Sequence, residues 1–592
     1  MRKRPFIIVL VLLLSSMTLF TACSGFPDNA EQKNSSTEQT GDLTDNGTDT
    51  KANEVGTQDN KTQDNKTEEN ATVVDGLLTG KFNPEVTITT VRGVAPGVTF
   101  RDGENVDDNV HTKWAKERFG INIKNLWSVT DQNDAYKTKL RLALSSNEPM
   151  PDVMIVFDVN LAQDLISSGK FMDIGDKFEQ KAAPMWKKAL EEYSYTWNPF
   201  KKDGKKYGIP LLSYGYGSDP VLWIRQDWLD KLNLKAPQTM DDVEHIMDAF
   251  TNQDPDNDGK KDTYGLVIAP KASLSDGIGN ASWIFGAYGV VPEQWNMTAD
   301  GKVGFGSVQP EMKAGLEKLK QWYDKGFLPR DTGLYDGGKV AEVISKGNIG
   351  MIAGPQWLPW YPFPDLVKND PTAKMKPFNI PTGPDGQAGR NGTVQGGYAI
   401  LINKDIEPRT LEALFVYMNY LFENLAIPRA GSEFEHGYFE NYDWAMKDGQ
   451  PSRKNEDIPG GYIDAKKYFL FWEMPLIPEA SVEPMIKRYK GEPLTTPNDM
   501  FYKDHPEDQV QGYGKIVEQA EASKVNVFNG APTPTMKKKW ELLEKIKQET
   551  FSKIIFGNAP VSQFDTFVNE WNSTGGDAVT QEVNEWYQSV SQ

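Results

Sequence analysis

One stretch of this 592-residue chain carries a single kind of ligand atom at the spacing a hard cation needs. In Asp254-Pro255-Asp256-Asn257-Asp258-Gly259-Lys260-Lys261-Asp262, carboxylates fall at positions 1, 3, 5 and 9, with glycine at position 6. Alternate residues of a tight loop point inward together. The glycine permits the sharp turn, and the carbonyl of Lys260 at position 7 can face the ion. Four crowded carboxylates repel one another unless a cation sits among them. An all-oxygen donor set suits calcium better than zinc. The expectation is one structural Ca2+ held by Asp254, Asp256, Asp258, Asp262 and the carbonyl of Lys260. Position 12, where a bidentate glutamate usually closes such a loop, is Gly265. The plainer alternative is a solvated acidic turn. No helix pair that could open is suggested, so a structural role is expected rather than a sensing one.

The second chemical residue is the only cysteine, Cys23. Arg2, Lys3 and Arg4 precede an apolar run from Phe6 to Leu14, which is too short for a membrane span and is followed by Ser15 and Ser16. Phe20-Thr21-Ala22-Cys23 then resembles a bacterial lipobox, with Phe20 where leucine is usual. Residues 1–22 read as a lipoprotein signal peptide and Cys23 as the lipidated residue. Residues 23–82 read as a disordered tether: polar, nearly free of aromatics, with TQDNK repeated at 57–61 and 62–66. A coil of that length reaches roughly 40–46 Å. Anchor and tether together imply the outer face of a Gram-positive cell membrane.

Composition narrows the chemistry further. Lys plus Arg total 64 against 83 Asp plus Glu, a net charge of -19 and a pI near 4.9, which argues against nucleic acid as a partner. One cysteine excludes an intrachain disulfide, and four histidines leave little room for histidine-based zinc chemistry. Sixteen tryptophans ask for an explanation. Strand-like and helix-like segments alternate from Pro84 onward: Val86–Val91, Asn109–Phe119, Ile121–Trp127, Asp134–Ala143 and the apolar strand Val153–Val156. The pattern returns near Val221–Ile224, Tyr264–Ile268, Ile349–Ile352 and Tyr398–Ile402, and the last 60 residues read as helical. It predicts two α/β units built on parallel sheets with helical crossovers.

Several segments, taken in order, resemble an extracellular solute-binding lipoprotein of an ABC importer for sugars and oligosaccharides (family 1, the large calcium-loop subgroup). They are Pro151–Asp158, Tyr207–Pro210 followed by Leu222–Leu229, Met351–Trp357 and Gly396–Ile400. In that subgroup the residue after position 9 of the loop is often glutamate; here it is Thr263. The resemblance implies an α/β, two-lobed periplasmic-binding-protein-like fold with a ligand cleft, a hinge and a helical C-terminal region. The first lobe would combine 84–208 with 400–480, and the second 209–399 with 481–592. Hinges are expected near Tyr207–Pro210 and Gly396–Ala399. Implied partners are an oligosaccharide, the transmembrane subunits of an ABC permease and the membrane, through the lipid anchor; a monomer is expected.

A sugar offers an apolar C–H face and a rim of hydroxyls, so aromatic faces and polar side chains at strand ends are the candidates. Phe157, Asp158, Tyr214, Tyr216, Trp357 and Tyr398 meet that test, with Trp283 and Trp360 in less defined contexts. Trp223 and Trp228 read as core, as do Trp540, Trp571 and Trp586 on amphipathic helices. No catalytic residues are expected. Two other readings stay open on the residues alone: a lipid-anchored glycoside hydrolase or lyase, which would need two carboxylates across a cleft, and a peptide-binding importer receptor.

Overall fold

In the computed structural model, residues 71–590 are described except 75, 76, 133, 272, 276, 473 and 474. The proposed signal peptide, Cys23 and most of the tether lie outside the described residues. The described residues all belong to one folded body. It starts earlier than the sequence suggests. Strands β1 (Thr72–Val74) and β2 (Leu77–Thr79) pair antiparallel. Leu78 and Phe82 are buried, and the Phe82 N–H donates to Phe119 O at 2.8 Å. Residues 72–82 therefore belong to the body rather than the tether. The apolar Val-Val and Leu-Leu pairs, too few to register against the polar stretch before them, suffice to make a hairpin.

Two apolar cores organise the chain. The first draws on residues 78–212 and 399–471. Its strands are β3 (Val86–Val94), β4 (Ile121–Thr130), β5 (Val153–Val156), β6 (Gly208–Leu211) and, from a distant part of the chain, Tyr398–Ile402. β3 and β4 are parallel, joined by helix α1 (Val110–Phe119), which Asn109 caps and Gly120 ends in the left-handed region at φ 67°. Asp152 ties β3 to β5, accepting from the Thr89 N–H and hydroxyl at 2.8 and 2.6 Å. Tyr398–Ile402 lies between β5 and β6, antiparallel to both. Helix α2 (Val159–Ser167) follows β5.

The second core draws on 221–380 and 516–583. Strands β7 (Pro220–Arg225), β8 (Tyr264–Val267), β9 (Ile349–Pro355) and β10 (Met375–Phe378) lie in the order β8-β9-β7-β10. β8 and β9 are parallel; β7 runs antiparallel to β9 and β10. The second sheet is thus mixed, and the first core holds a parallel β3–β4 pair beside a separate three-stranded sheet that is antiparallel throughout, not the parallel sheets expected. The strands that cross between cores enter each sheet against its local direction, a constraint that hydrophobic periodicity does not encode. Helix α3 (Met240–Asn252) covers the second sheet, and α4 (Met536–Ile555), α5 (Gln563–Trp571) and α6 (Asp577–Val590) close this core at the C-terminus.

Three passages connect the cores: Leu212–Asp219, Gly392–Gly397 and the segment after Phe471. The first two lie beyond β6 and before Tyr398–Ile402, because Gly208–Leu211 is itself a paired strand. The first passage begins just after the expected hinge Tyr207–Pro210, and the second overlaps the expected hinge Gly396–Ala399. The third passage opens an arch of helices α7 (Pro478–Lys490), α8 (Pro497–Phe501) and α9 (Glu507–Glu518), labelled apart from α4–α6 although they precede them. Among the described residues no helix is long and apolar enough to cross a membrane.

Candidate functional site

Where the first passage meets Tyr398 and the arch, the body encloses a cleft of about 1120 Å³. Leu212, Ser213, Tyr214, Gly217 and Ser218 of the first passage line it; one wall is Tyr398, Tyr438, Arg453 and Tyr462, and the other is Gln356, Trp357, Trp360 and residues of α8 and α9. Four of the sequence candidates come together here: Tyr214, Trp357, Trp360 and Tyr398. Tyr214, Trp360 and Tyr398 are exposed large rings, at 40%, 54% and 37%.

These rings are positioned by polar tethers. The Trp357 indole donates to Gly217 O at 3.2 Å, which fixes the ring to the hinge. The Trp360 indole donates to Gln509 Oε1 at 2.8 Å; Gln509 Nε2 donates to Gln356 Oε1 at 2.8 Å; Gln356 Nε2 donates to Tyr513 OH at 3.2 Å. His505 stands edge-on to Trp360, ring centroids 5.4 Å apart, with Nδ1 3.0 Å from Gln509 Oε1. Burial pushes His505 down to about 4, so the imidazole is neutral at pH 7. Burial raises the Tyr438 and Tyr502 phenols well above their ordinary range, so both remain hydroxyls. The result is a set of fixed aromatic surfaces edged by neutral hydrogen-bonding groups.

The other four candidates lie elsewhere. Trp283 is fully buried in the second core, its indole donating to Asn280 O at 3.2 Å. Asp158 is the cap of α2: its carboxylate accepts from Leu161 N at 2.7 Å and Lys137 Nζ at 2.6 Å. Burial raises its pKa, and the bonds from Lys137 and Leu161 outweigh that, so it is held below the usual carboxylate range. Tyr216, at φ 56°, faces a separate cavity of about 580 Å³. Phe157 is half-buried and packs edge-on against Tyr398 at 5.1 Å, supporting a cleft residue rather than lining the cleft. The sequence reading missed Tyr438, Arg453, Tyr462, Tyr502, Asp504 and His505. The signal available was aromatic density: Phe434, Tyr438, Phe439, Tyr442 and Trp444, then Phe501-Tyr502.

The acidic loop joins α3 to β8. Carboxylate oxygens of Asp254, Asp256 and Asp258 lie within 4.8 Å of one another. Asp254 Oδ1 is buried without a partner, while Oδ2 accepts from Gly259 N at 3.1 Å. Burial and then the neighbouring Asp254 and Asp258 push Asp256 up; the Lys260 ammonium, paired with Asp258, holds that carboxyl down. An orphaned buried oxygen among clustered carboxylates fits a hard cation. The Asp262 carboxylate is not in this cluster; its carbonyl accepts from Asn348 Nδ2 at 3.2 Å. Gly265 explains the missing closer: a Cβ there would sit 2.5 Å from the Met247 Cβ, where β8 packs on α3. The loop feeds the N-terminal end of β8, whereas Trp357 follows the C-terminal end of the parallel neighbour β9, so loop and cleft lie at opposite ends of the sheet.

The family described as bacterial extracellular solute-binding protein matches residues 113–425. The polygalacturonan/rhamnogalacturonan-binding protein YtcQ of Bacillus subtilis is 26% identical over 482 residues, 78% of this chain and 85% of that protein. Lipoprotein LipO of the same organism is 23% identical over 521 residues, 84% of this chain and 92% of that one. Among solved structures, the Streptococcus pneumoniae ABC-transporter substrate-binding protein FusA in complex with kestose superposes with a TM-score of 0.60 at 18% identity, covering 86% of this chain and 99% of that chain. The likeness of fold and the matched span agree with two cores around one cleft: this chain belongs to the bacterial extracellular solute-binding proteins.

Proposed function

We propose that this protein is a non-enzymatic receptor that closes on an oligosaccharide and delivers it to an ABC permease. The observation that carries this is the cleft itself, with Trp357, Trp360, Tyr214 and Tyr398 held between the two cores. Its volume of about 1120 Å³ exceeds the about 300–1,000 Å³ of ordinary small-molecule sites and suits several sugar rings. Relatives named for polygalacturonan and fructooligosaccharide support the same class. Against hydrolysis, Asp504 is the one carboxylate among the described residues lining the cleft, whereas glycoside hydrolysis uses two. Ligand bridging both cores would favour the closed population.

Calorimetry across an oligosaccharide panel, with solution scattering, tests this. Binding with compaction is expected. Trp360→Ala should weaken it by about 1–3 kcal/mol, or about 5- to 150-fold, without unfolding, because the ring is 54% exposed. Turnover of a bound sugar, or no binding across the panel, would sink the receptor reading.

The anchor reading is that Cys23 carries a diacylglycerol thioether holding a monomeric receptor on the outer face of the membrane. Two chains anchor stably where one does so marginally. The likeness to a relative named a lipoprotein supports it. Cys23→Ser should move the protein from the membrane fraction to the medium; a variant that stays membrane-bound contradicts it. The acidic loop is proposed as a structural calcium site, with Asp254, Asp256 and Asp258 supplying carboxylates and Lys260 its carbonyl.

A further inference from the structure

Resting on the receptor reading, we propose that the cleft recognises a carboxylate on its glycan, that is, a uronate unit, and that Arg453 is the residue that reads it. Among the described residues lining the cleft, Arg453 and His505 are the only basic ones, and His505 is neutral at pH 7. Arg453 is therefore the one permanently charged cation of the lining itself, in a chain whose net charge is -19, while the Lys466 ammonium donates to the hydroxyl of the cleft residue Tyr214 at 2.9 Å.

A structural explanation for the arginine would be its carboxylate neighbour, and that explanation is weak. Asp443 is fully buried, yet the backbone already serves it: Tyr438 N donates at 3.0 and 2.8 Å to its two oxygens and Phe439 N donates at 2.7 Å. Arg453 adds one end-on contact, Nη2 to Asp443 Oδ2 at 3.4 Å, the longest of the set. Burial raises Asp443, against the pull of Arg453 and those N–H groups, to about 6. The Arg453–Asp443 contact is thus single and long.

The geometry suits recognition better. The guanidinium lies over the Phe501 ring, 4.6 Å from its centroid, so one face is packed on α8. A second edge is turned to Asp443. A planar fork with five donors, stacked and oriented in this way, keeps donors for the cleft and matches the two oxygens of a carboxylate. Its side chain is 22% exposed, enough to reach ligand and little enough to strengthen the contact by partial exclusion of water. Arg453 comes from the first core's segment and Phe501 from the arch, so the ligand's charge would be gripped where the two meet. Arg453 and Phe501 also line a neighbouring cavity of about 270 Å³, leaving room beside the contact for a substituent.

The test uses the folded body and three probes: α-1,4-trigalacturonate, its fully methyl-esterified form and neutral oligosaccharides. The ester keeps ring and linkage and removes the charge. The wild type is expected to bind the acid about tenfold or more tightly than the ester. Arg453→Gln should erase that preference, so that acid and ester bind equally whatever the change in overall affinity, and Arg453→Lys, a point charge without the fork, should recover part of it. Equal binding of acid and ester by the wild type overturns the proposal without needing a variant. So does a preference that survives in Arg453→Gln. Binding of neutral oligosaccharides with no binding of trigalacturonate defeats the carboxylate inference and leaves the receptor standing; no binding of any saccharide defeats both.

Discussion

Asp219→Ala is expected to destabilise the body by about 3–5 kcal/mol, an effect concentrated at the hinge. Asp219 is 1% exposed and opens β7 where the first passage reaches the second core. Its carboxylate accepts from Thr393 N at 2.7 Å and Thr393 Oγ1 at 2.6 Å, and from the Ser523 hydroxyl. Thr393 belongs to the second passage, so one side chain joins both crossing strands. Arg390, 0% exposed, approaches the same carboxylate at 3.8 Å and donates to Ile516 O and Gln519 O at 3.0 and 3.1 Å. Alanine leaves a buried guanidinium without a countercharge and strands the Thr393 N–H. Both are costly in a water-free site. Asp219→Asn keeps the shape and two acceptor lone pairs and should cost less. Arg390→Met in the Asp219→Ala background should recover part of the loss, because it removes the orphaned charge. Denaturant unfolding followed by tryptophan fluorescence checks this. An Asp219→Ala transition at the wild-type midpoint would show that the network contributes little.

How far the sequence revealed this site depended on whether the deciding physics was local. Trp357 and Tyr398 were legible because each sits at the end of an apolar strand, and strand ends in such folds face the cleft; Trp360, in a less defined context in the sequence, follows Trp357 by one turn. Asp158 sits at a strand end too, but helix 159–167 begins at the next residue. A carboxylate before a helix is worth more as a cap than as a ligand, and that signal was present in the sequence. Trp283 precedes Ile284 and Phe285, which are also buried, and nothing polar nearby argued for a cleft position. Tyr216 depends on a left-handed backbone between Gly215 and Gly217, a detail of one passage. Arg453, Tyr438 and His505 come from residues 425–510, where short helices and loops carry no sustained periodicity. His505 is carried by the arch, whose helices Met485, Val510 and Tyr513 bind together and whose α9 packs beside β10, whereas Tyr438 packs on the first core. The same limit applied to sheet direction. Parallel β3–β4 follow one βα unit, whereas the antiparallel strands enter from the passages, β7 from the first and Tyr398–Ile402 from the second.

Excess chelator is expected to lower the melting temperature, and Asp256→Asn to remove that sensitivity. A cation bound by the native state alone stabilises it by RT ln(1 + [L]/Kd), about 2.7 kcal/mol at a hundredfold excess over Kd. The pH dependence follows from the loop's own repulsion. Asp256 is raised by burial and by Asp254 and Asp258, so its folded pKa exceeds its unfolded one. Without the ion, the native loop binds protons more readily than the unfolded chain. Its contribution is then favourable at acid pH and is lost as pH rises through the carboxylate range. A bound cation reverses this, because ligation requires the ionised forms and competes with protons. The chelator effect should therefore be full near pH 7 and fade as pH falls through the carboxylate range. Only three of the four loop carboxylates cluster, and Gly265 has no side chain to close the loop, so the remaining oxygens must come from the Lys260 carbonyl and water. That places affinity below a loop with a bidentate closer and makes removal by chelator practical. Melting curves that coincide with and without chelator at pH 7, together with no calcium detected in the purified native protein by metal analysis, would leave the loop as an acidic turn.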